Sequence, residues 1–468
     1  KDLLPEDVNI APVQEEISAN TGDETFVSSE QALEIAGKFF SGESGAETRA
    51  LANAAVATIT DEKNGGNPAM YVVNYPEGGW AIVSATRNYF PVLAHSDKGS
   101  FEIKPESEMG GVVVWLDEVK TNMRASDEFD AETKSRINAQ WLAYEDAQKR
   151  TLSAPQTRGY NEMMNRIDYL SSQYSSQGWY DYMSLDEAYY YLGSSLWQNL
   201  VNEANSIGAS TEYTIVAIKS VFHDYIYQTG PLLTTTWSQG YPFNYFCPPG
   251  TSGSSGNYKA GCVAVALGQI MNYHRKPALV NSPYNHKYNW NNMTVNATSS
   301  LPVLLRAIGV DVDMQYSLGG SGANNSDAAR ALRNTYGYRT VTVDGHYPTT
   351  VQSHINQGRP VYMSGLRYDS STNTYIGHAW VCDGVKVEED RDEYFVEFSV
   401  NNSYGSYSSY SPSYPGVAVK RYDYYHMNWG WSGDGDGWFA ANNIAFTTKI
   451  DNIFRNYIYS RENIYITP

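Results

Sequence analysis

Three cysteines, Cys247, Cys262 and Cys382, are all that this chain of 468 residues carries. An odd, small number cannot build a disulfide framework. No CxxC or Cys/His pair has metal-ligand spacing, so a structural zinc site is not expected. The chain must therefore be held by hydrophobic cores, and its length exceeds one typical core, so two or three domains are expected. Hydrophobic residues at 42% and charged residues at 18% are a globular composition and not a disordered one. The formal net charge of −18 argues against nucleic acid as a partner, because phosphate binding needs clustered Lys and Arg. No run of about 18 apolar residues is present, so no transmembrane segment is expected. The chain begins at Lys1 without an initiator Met. That fits a chain whose leader has been removed or left out, with room for a lipid anchor upstream of Lys1. The 39 tyrosines suit either a peptide- or sugar-binding surface or ordinary strand-rich structure.

Along the chain, residues 1–25 are acidic and weakly patterned. Ser28 and Ser29 can cap a helix whose apolar face is Ala32, Ile35, Ala36, Phe39 and Phe40. Strand-like runs follow at 55–60, 69–75, 80–86 and 90–96, and then helical stretches around 110–125 and 128–150. The first 150 residues thus read as an α+β unit large enough to fold alone. TLSAPQTRG (151–159) is a polar stretch that reads as a linker and candidate cleavage region. The segment 160–230 is Tyr-rich and reads as mostly helical, with a capping-box-like Ser184 and Glu187 and helical periodicity continuing over 212–227. GCVAVALGQIMNYH (261–274) reads as a buried helix, and from 360 onward the pattern alternates as strands do. SSYSPSYPG (408–416) reads as an exposed low-complexity loop.

The chemistry lies in residues 231–468. Cys262 follows Gly261 and opens the helical run, where the positive end of the helix macrodipole favours thiolate, the nucleophilic form. The bland alternative is a small buried cysteine. His378, in IGHAWVCDGV, sits at a strand start from which an imidazole can reach a cleft. In a Cys–His pair it takes the thiol proton and returns it to the leaving amine. Asn428, in HMNWGWSGDGDGWF, can accept from the imidazole and fix its tautomer, and Trp429 can shield that contact. Taken singly, each has a structural alternative: a satisfied core histidine, or a Trp/Gly-rich hairpin. His426, Cys247 and Cys382 read as structural. SGDGDG (432–437) reads as a tight glycine turn and lacks the ligand pattern of a calcium loop.

The strings TGPLLTTTWSQGYPFN, AGCVAVALGQIMNYHRKP, IGHAWVCDG and YHMNWGWSGDGDGWF closely resemble the streptopain family of papain-like cysteine peptidases. GGWAIVSATRNYFPVLAHSDKGSF (78–101) resembles that family's inhibitory propeptide. The resemblance implies an α+β fold: a papain-like peptidase of two lobes, a helical half and an antiparallel β half, with a separate α+β propeptide domain. Together with the pattern along the chain, it gives three expected regions: an inhibitory propeptide domain (1–150), a linker and Tyr-rich helical insertion (151–230) and a catalytic domain (231–468). It assigns Cys262 as nucleophile, His378 as general base and acid, Asn428 as the orienter with Trp429 over it, and Gln239 as oxyanion donor. Protein or peptide substrates are implied, with the chain's own propeptide as intramolecular inhibitor and with no cofactor or metal. Two departures stand out. Residues 160–230 have no recognised counterpart, and the segment between Asp383 and His426 is longer than the family pattern. The expected function is a secreted cysteine endopeptidase made as a zymogen. The alternatives are another enzyme of the same layout, such as an amidase or transglutaminase-like protein, and a catalytically silent chain serving as a binding or decoy module.

Overall fold

The computed structural model describes residues 25–44, 54–104, 111–142, 144, 158–250, 256–277, 288–369, 374–400, 403–406, 418–441 and 461–468. The loop expected at 408–416 and most of the linker expected at 151–159 lie outside them. Mixed α+β architecture is present as expected, with all named strand pairings antiparallel.

The front unit begins with helix α1 (Ser29–Ser44). Its start is a reciprocal cap: Ser28 N–H donates to Gln31 Oε1 at 2.9 Å, and Gln31 N–H donates to Ser28 Oγ at 3.3 Å. The anticipated stripe of Ala32, Ile35, Ala36, Phe39 and Phe40 is buried. It covers a meander of β1 (Ala55–Asp61), β2 (Asn67–Asn74), β3 (Trp80–Ser84) and β4 (Val92–Ser96). Every residue of β3 and β4 is buried, which accounts for their largely apolar sequence. Helices α2 (Gly111–Arg124) and α3 (Ala131–Leu142) follow.

The segment from residue 158 onward corrects the expectation from sequence. Helix α4 (Arg158–Tyr174) is followed by strand β5 (Tyr180–Ser184), helix α5 (Tyr189–Ser206) and the long strand β6 (Ile215–Thr229). The stretch 212–227, expected to be helical, is therefore largely extended. Ser184 and Glu187 do form a capping box, with Glu187 N–H on Ser184 Oγ at 3.3 Å and Ser184 N–H on Glu187 Oε2 at 2.8 Å. It closes the turn before α5.

The helical half contains α6 (Cys262–His274), α7 (Ser300–Asp311) and α8 (Asn325–Asn334). The β half is built from β7 (Thr340–Gly345), helix α9 (Pro348–Asn356), β8 (Val361–Asp369), β9 (Thr374–Val400), β10 (Ser403–Ser406), β11 (Ala418–Asn428), β12 (Gly437–Ala440) and β13 (Glu462–Thr467). Strand order runs β1-β2-β3-β4-β12-β11-β9-β8-β13-β7, with β6 and β10 also paired to β9. One sheet thus runs from the front unit into the β half, joined where Trp438 and Phe439 pair with His95 and Ala94.

Alternation along the strands separates two cores. Tyr362, Ala379, Val381, Ile464 and Ile466 face the helical half. Val361, Met363, Trp380, Cys382 and Tyr465 lie in one continuous core with the front unit. Both faces of the central strands are buried, so IGHAWVCDGV reads as a nearly unbroken apolar run.

Candidate active site

Helix α6 opens on Cys262 after Gly261, whose φ of 94° lies in a region that L side chains avoid. A Cβ there would come within 2.8 Å of Met314 and 3.0 Å of the Ser321 carbonyl. Glycine is required by both conformation and space. Burial pushes the Cys262 thiol up, while the backbone N–H groups of Ala379, Val263 and Cys262 itself pull it down. Two of those amides belong to the helix start. The third belongs to the residue after His378, so the nucleophile candidate and the histidine strand meet at this sulfur.

His378 lies on β9 opposite Gly365 of β8 and is partly exposed. By strand alternation it falls on the face of Trp380 and Cys382, the face against which the front unit packs. Gln239 is buried, and its carbonyl accepts from Ala260 N–H at 2.9 Å, two residues before Cys262.

Asn428 ends β11 and is buried. Its Oδ1 accepts from Gln269 Nε2 at 2.9 Å and from Gly430 N–H at 3.2 Å, and its Nδ2 donates to the Thr235 carbonyl at 2.8 Å. These bonds engage the amide with α6 and the 231–239 segment. Trp429 packs on Trp380, two residues beyond His378, with ring centroids 5.2 Å apart, and on Phe439 at 5.0 Å. Its indole N–H donates to Gly435 O at 3.1 Å and its backbone N–H to Asp436 Oδ1 at 2.8 Å.

Gln269 escaped the sequence reading. It is fully buried on α6, about two turns beyond Cys262 on the same helix face. The available signal was a lone amide inside the apolar run VAVALGQIM, because a buried polar group must be satisfied. Its partners, Thr235 and Asn428, are remote in sequence and no local pattern names them.

The residues read as structural behave so. His426 Nδ1 lies 2.7 Å from Asp383 Oδ1, and Asp383 Oδ2 accepts from Leu233 N–H at 3.0 Å. Cys247 and Cys382 are buried and undisulfided, with the Cys247 thiol pushed up to about 11 by burial. The 432–437 loop is a glycine turn, with φ of 87° at Gly433 and 70° at Gly435. Among the described residues no group of three or more His, Cys, Asp or Glu could hold a metal ion. No helix among them is long and apolar enough to cross a membrane.

Residues 237–439 match the Peptidase C10 family, and residues 24–123 match the Spi protease inhibitor family. The chain carries a C10 peptidase domain behind a Spi inhibitor domain. Streptopain of Streptococcus pyogenes is 27% identical over 251 residues, covering 44% of this chain and 53% of streptopain. The thiol protease/hemagglutinin PrtT of Porphyromonas gingivalis is 28% identical over 239 residues, covering 44% of this chain and 23% of PrtT. The chain thus matches about half the length of streptopain and less of PrtT. A solved fragment of Prevotella intermedia prointerpain A aligns over 88% of this chain and 98% of its own, at 17% identity and a TM-score of 0.46. Active interpain A from the same organism aligns over 51% of this chain and 93% of its own, at 24% identity and a TM-score of 0.34.

The Spi domain meets the C10 domain beside the candidate site. Gly111, which opens α2, has no room for a side chain: a Cβ would lie 2.7 Å from both Trp380 and Trp429. Val114 packs where a Cβ on Gly365, opposite His378, would stand, at 2.8 Å. Lys104 pairs with Asp434, and Arg461 pairs with Glu118 at 2.6 Å. A small pocket at this junction is lined by Phe101, Lys104, Val112, Trp431, Asp434 and Gly435. Residues 158–229 fall between the two matched stretches.

Proposed function

We propose that this chain is the latent form of a secreted cysteine endopeptidase, with Cys262 as nucleophile and His378 as general base and acid. The observation that carries this reading is the Cys262 sulfur at a helix N-terminus, facing the backbone N–H of the residue after His378. In the working enzyme the Cys262 thiol proton passes to His378 and the thiolate attacks the substrate carbonyl carbon. The oxyanion so formed takes hydrogen bonds from the Gln239 amide and the Cys262 backbone N–H, groups that stabilise charge present only in the transition state. Collapse breaks the C–N bond, and the leaving amine takes its proton from His378. Water then gives a proton to His378 and hydrolyses the acyl-thioester, returning the thiol. Trp429 shields the centre, and Asn428 is the candidate orienter of His378.

Latency follows from the position of the Spi domain. It covers the sheet face that His378 shares with Trp380, and the enclosed Cys262 thiol is biased toward its unreactive protonated form. Removal of the domain by a cut between about 150 and 236 opens that face. Substrates are polypeptides, and the site of action is outside the cell.

The test compares the full chain with Cys262→Ala in reducing buffer, following intact mass and casein hydrolysis. Only the wild type is expected to cut itself between 150 and 236, with casein turnover appearing together with the cut. A wild type that stays inert after an external protease has removed the front domain excludes the peptidase reading and favours a silent binding or decoy role.

A further inference from the structure

Three side-chain hydrogen bonds close a ring beneath the candidate site. Gln269 Nε2 donates to Asn428 Oδ1 at 2.9 Å, Asn428 Nδ2 donates to the Thr235 carbonyl at 2.8 Å, and Thr235 Oγ1 donates to Gln269 Oε1 at 2.7 Å. A longer bond from Trp237 N–H also reaches Gln269 Oε1 at 3.4 Å. Each member of the ring comes from a different part of the fold. Gln269 is on the helix that opens with Cys262, Asn428 is at the strand end beside Trp429, and Thr235 is on the segment that reaches Gln239 four residues later. Each residue of the ring donates and accepts, Thr235 through its hydroxyl and its separate backbone carbonyl, and the Gln269 and Asn428 amides polarise the bonds they share, so the loss of one bond weakens its neighbours. Gln269 and Asn428 are both buried, which strengthens each bond and makes an unmade one costly.

We propose that Gln269 is a positioning residue of the active centre. Its amide fixes the nucleophile helix against Asn428 on one side and against the approach to Gln239 on the other. Small errors of placement are what such a centre tolerates least, since about 1 Å of displacement can cost on the order of a hundredfold in rate. Helix α6 has ample apolar packing against the sheet, with Ala264, Leu267 and Ile270 buried, so the ring is not needed merely to hold the helix in the fold. Its distinct contribution is register between the three catalytic elements. The kinetic arm of the test rests on the peptidase reading above.

The experiment uses protein activated with a trace of external protease. Its variants are Gln269→Met, which keeps length and removes the amide, and Thr235→Val, which keeps shape and removes one ring bond. The double variant and Thr235→Ser, which retains the hydroxyl, complete the set. On a short fluorogenic peptide each single change is expected to lower kcat about tenfold or more with KM within about twofold. The double variant should fall no further than the worse single, because the ring is already open, and Thr235→Ser should recover to within about twofold. Singles that leave kcat within about twofold, losses that multiply in the double, or a loss confined to KM would each overturn the proposal. Circular dichroism and Tm establish that each variant is folded, and Thr235→Val keeps the test open if Gln269→Met fails to fold. If the activated parent turns over no peptide, the peptidase reading fails, and the ring is judged by iodoacetamide alkylation of Cys262, located by mass. Both single variants should then move the pH midpoint of alkylation by about half a unit or more, and an unmoved midpoint refutes the positioning role.

Discussion

At the scale of single residues, Asp436 is a carboxyl whose charge the fold opposes. Burial pushes its carboxyl up to about 7, against the opposing hydrogen bond from Trp429 N–H and the neighbouring His426. Asp383 and Asp434 add to the upward shift. A carboxyl raised in the folded state binds more protons there than in the unfolded chain between roughly pH 4 and 7. Its stabilising contribution is therefore full below about pH 4 and is lost as pH rises through about 7. Asp436→Asn keeps an acceptor for Trp429 N–H and removes the ionisation. Its Tm is expected to exceed the parent's clearly at pH 8 and by a smaller margin at pH 5. A gap of about 1 kcal/mol corresponds to roughly 1 °C in a chain of 468 residues. Thermal unfolding of both proteins at the two pH values checks this, and equal gaps would remove Asp436 as the cause. The candidate residues differ in how far the sequence reveals them. Cys262 and His378 stand in the strings that carry the family resemblance. Gln269 does not, because its meaning lies in hydrogen bonds to Thr235 and Asn428, which only the folded chain brings near.

At the scale of elements, the junction between Spi and C10 domains is a chain of rings. Trp80 and Trp115 of the Spi domain lie 5.8 and 4.9 Å from Phe439, which lies 5.0 Å from Trp429, itself 5.2 Å from Trp380. Helix α2 closes on this stack only because its first residue is Gly111. Alanine has the higher helix propensity, so Gly111→Ala should not weaken the helix itself. The added methyl meets two indoles that are packed on both sides, and the helix end must lift. The uncut Gly111→Ala protein is therefore expected to alkylate at Cys262 about tenfold faster than the uncut parent. Iodoacetamide labelling resolved by peptide mass measures it, and an unchanged rate would show that α2 does not control access. The front unit was legible element by element because its strands are short and joined by tight turns, so local pattern and tertiary pairing agree. Strand β6 was not legible. Its stretch 215–229 has apolar spacing that suits a helix, and the partner that makes it a strand, β9, lies far along the chain.

At the scale of the whole molecule, the two departures from the family pattern are one structure. Strand β6, from the Tyr-rich segment, pairs with β9 from Ile215 opposite Glu397 to Thr229 opposite Val385. The acidic run 388–393 is the part of β9 that lies between β6 and β11. Met183, Leu192, Leu200, Val216 and Ile218 of the inserted segment share a core with Tyr394, Val396 and Phe398 of β9. Arg166 of α4 grips the buried Glu397 with two bonds, Nε to Oε1 at 2.6 Å and Nη2 to Oε2 at 2.7 Å. Breaking such a pair from one side leaves a buried charge and costs on the order of 3–5 kcal/mol, reduced here because Arg166 is partly exposed. A cut after β6 would strip a central strand from the same β9 that carries His378 at its other end, whereas a cut before α4 leaves this lobe whole. The matured protein is therefore expected to retain residues 158–229, with the activating cut upstream of Arg158. Intact mass and N-terminal sequencing of the self-processed protein locate that end. An N-terminus near residue 231, with 158–229 lost from the active species, would show that the lobe belongs to the zymogen alone. Retention predicts further that Arg166→Met loosens the lobe first. Limited proteolysis should then open 158–229 while Cys262 labelling stays at the parent's rate, because the C10 core around α6 is a separate cluster from the one that Glu397 anchors.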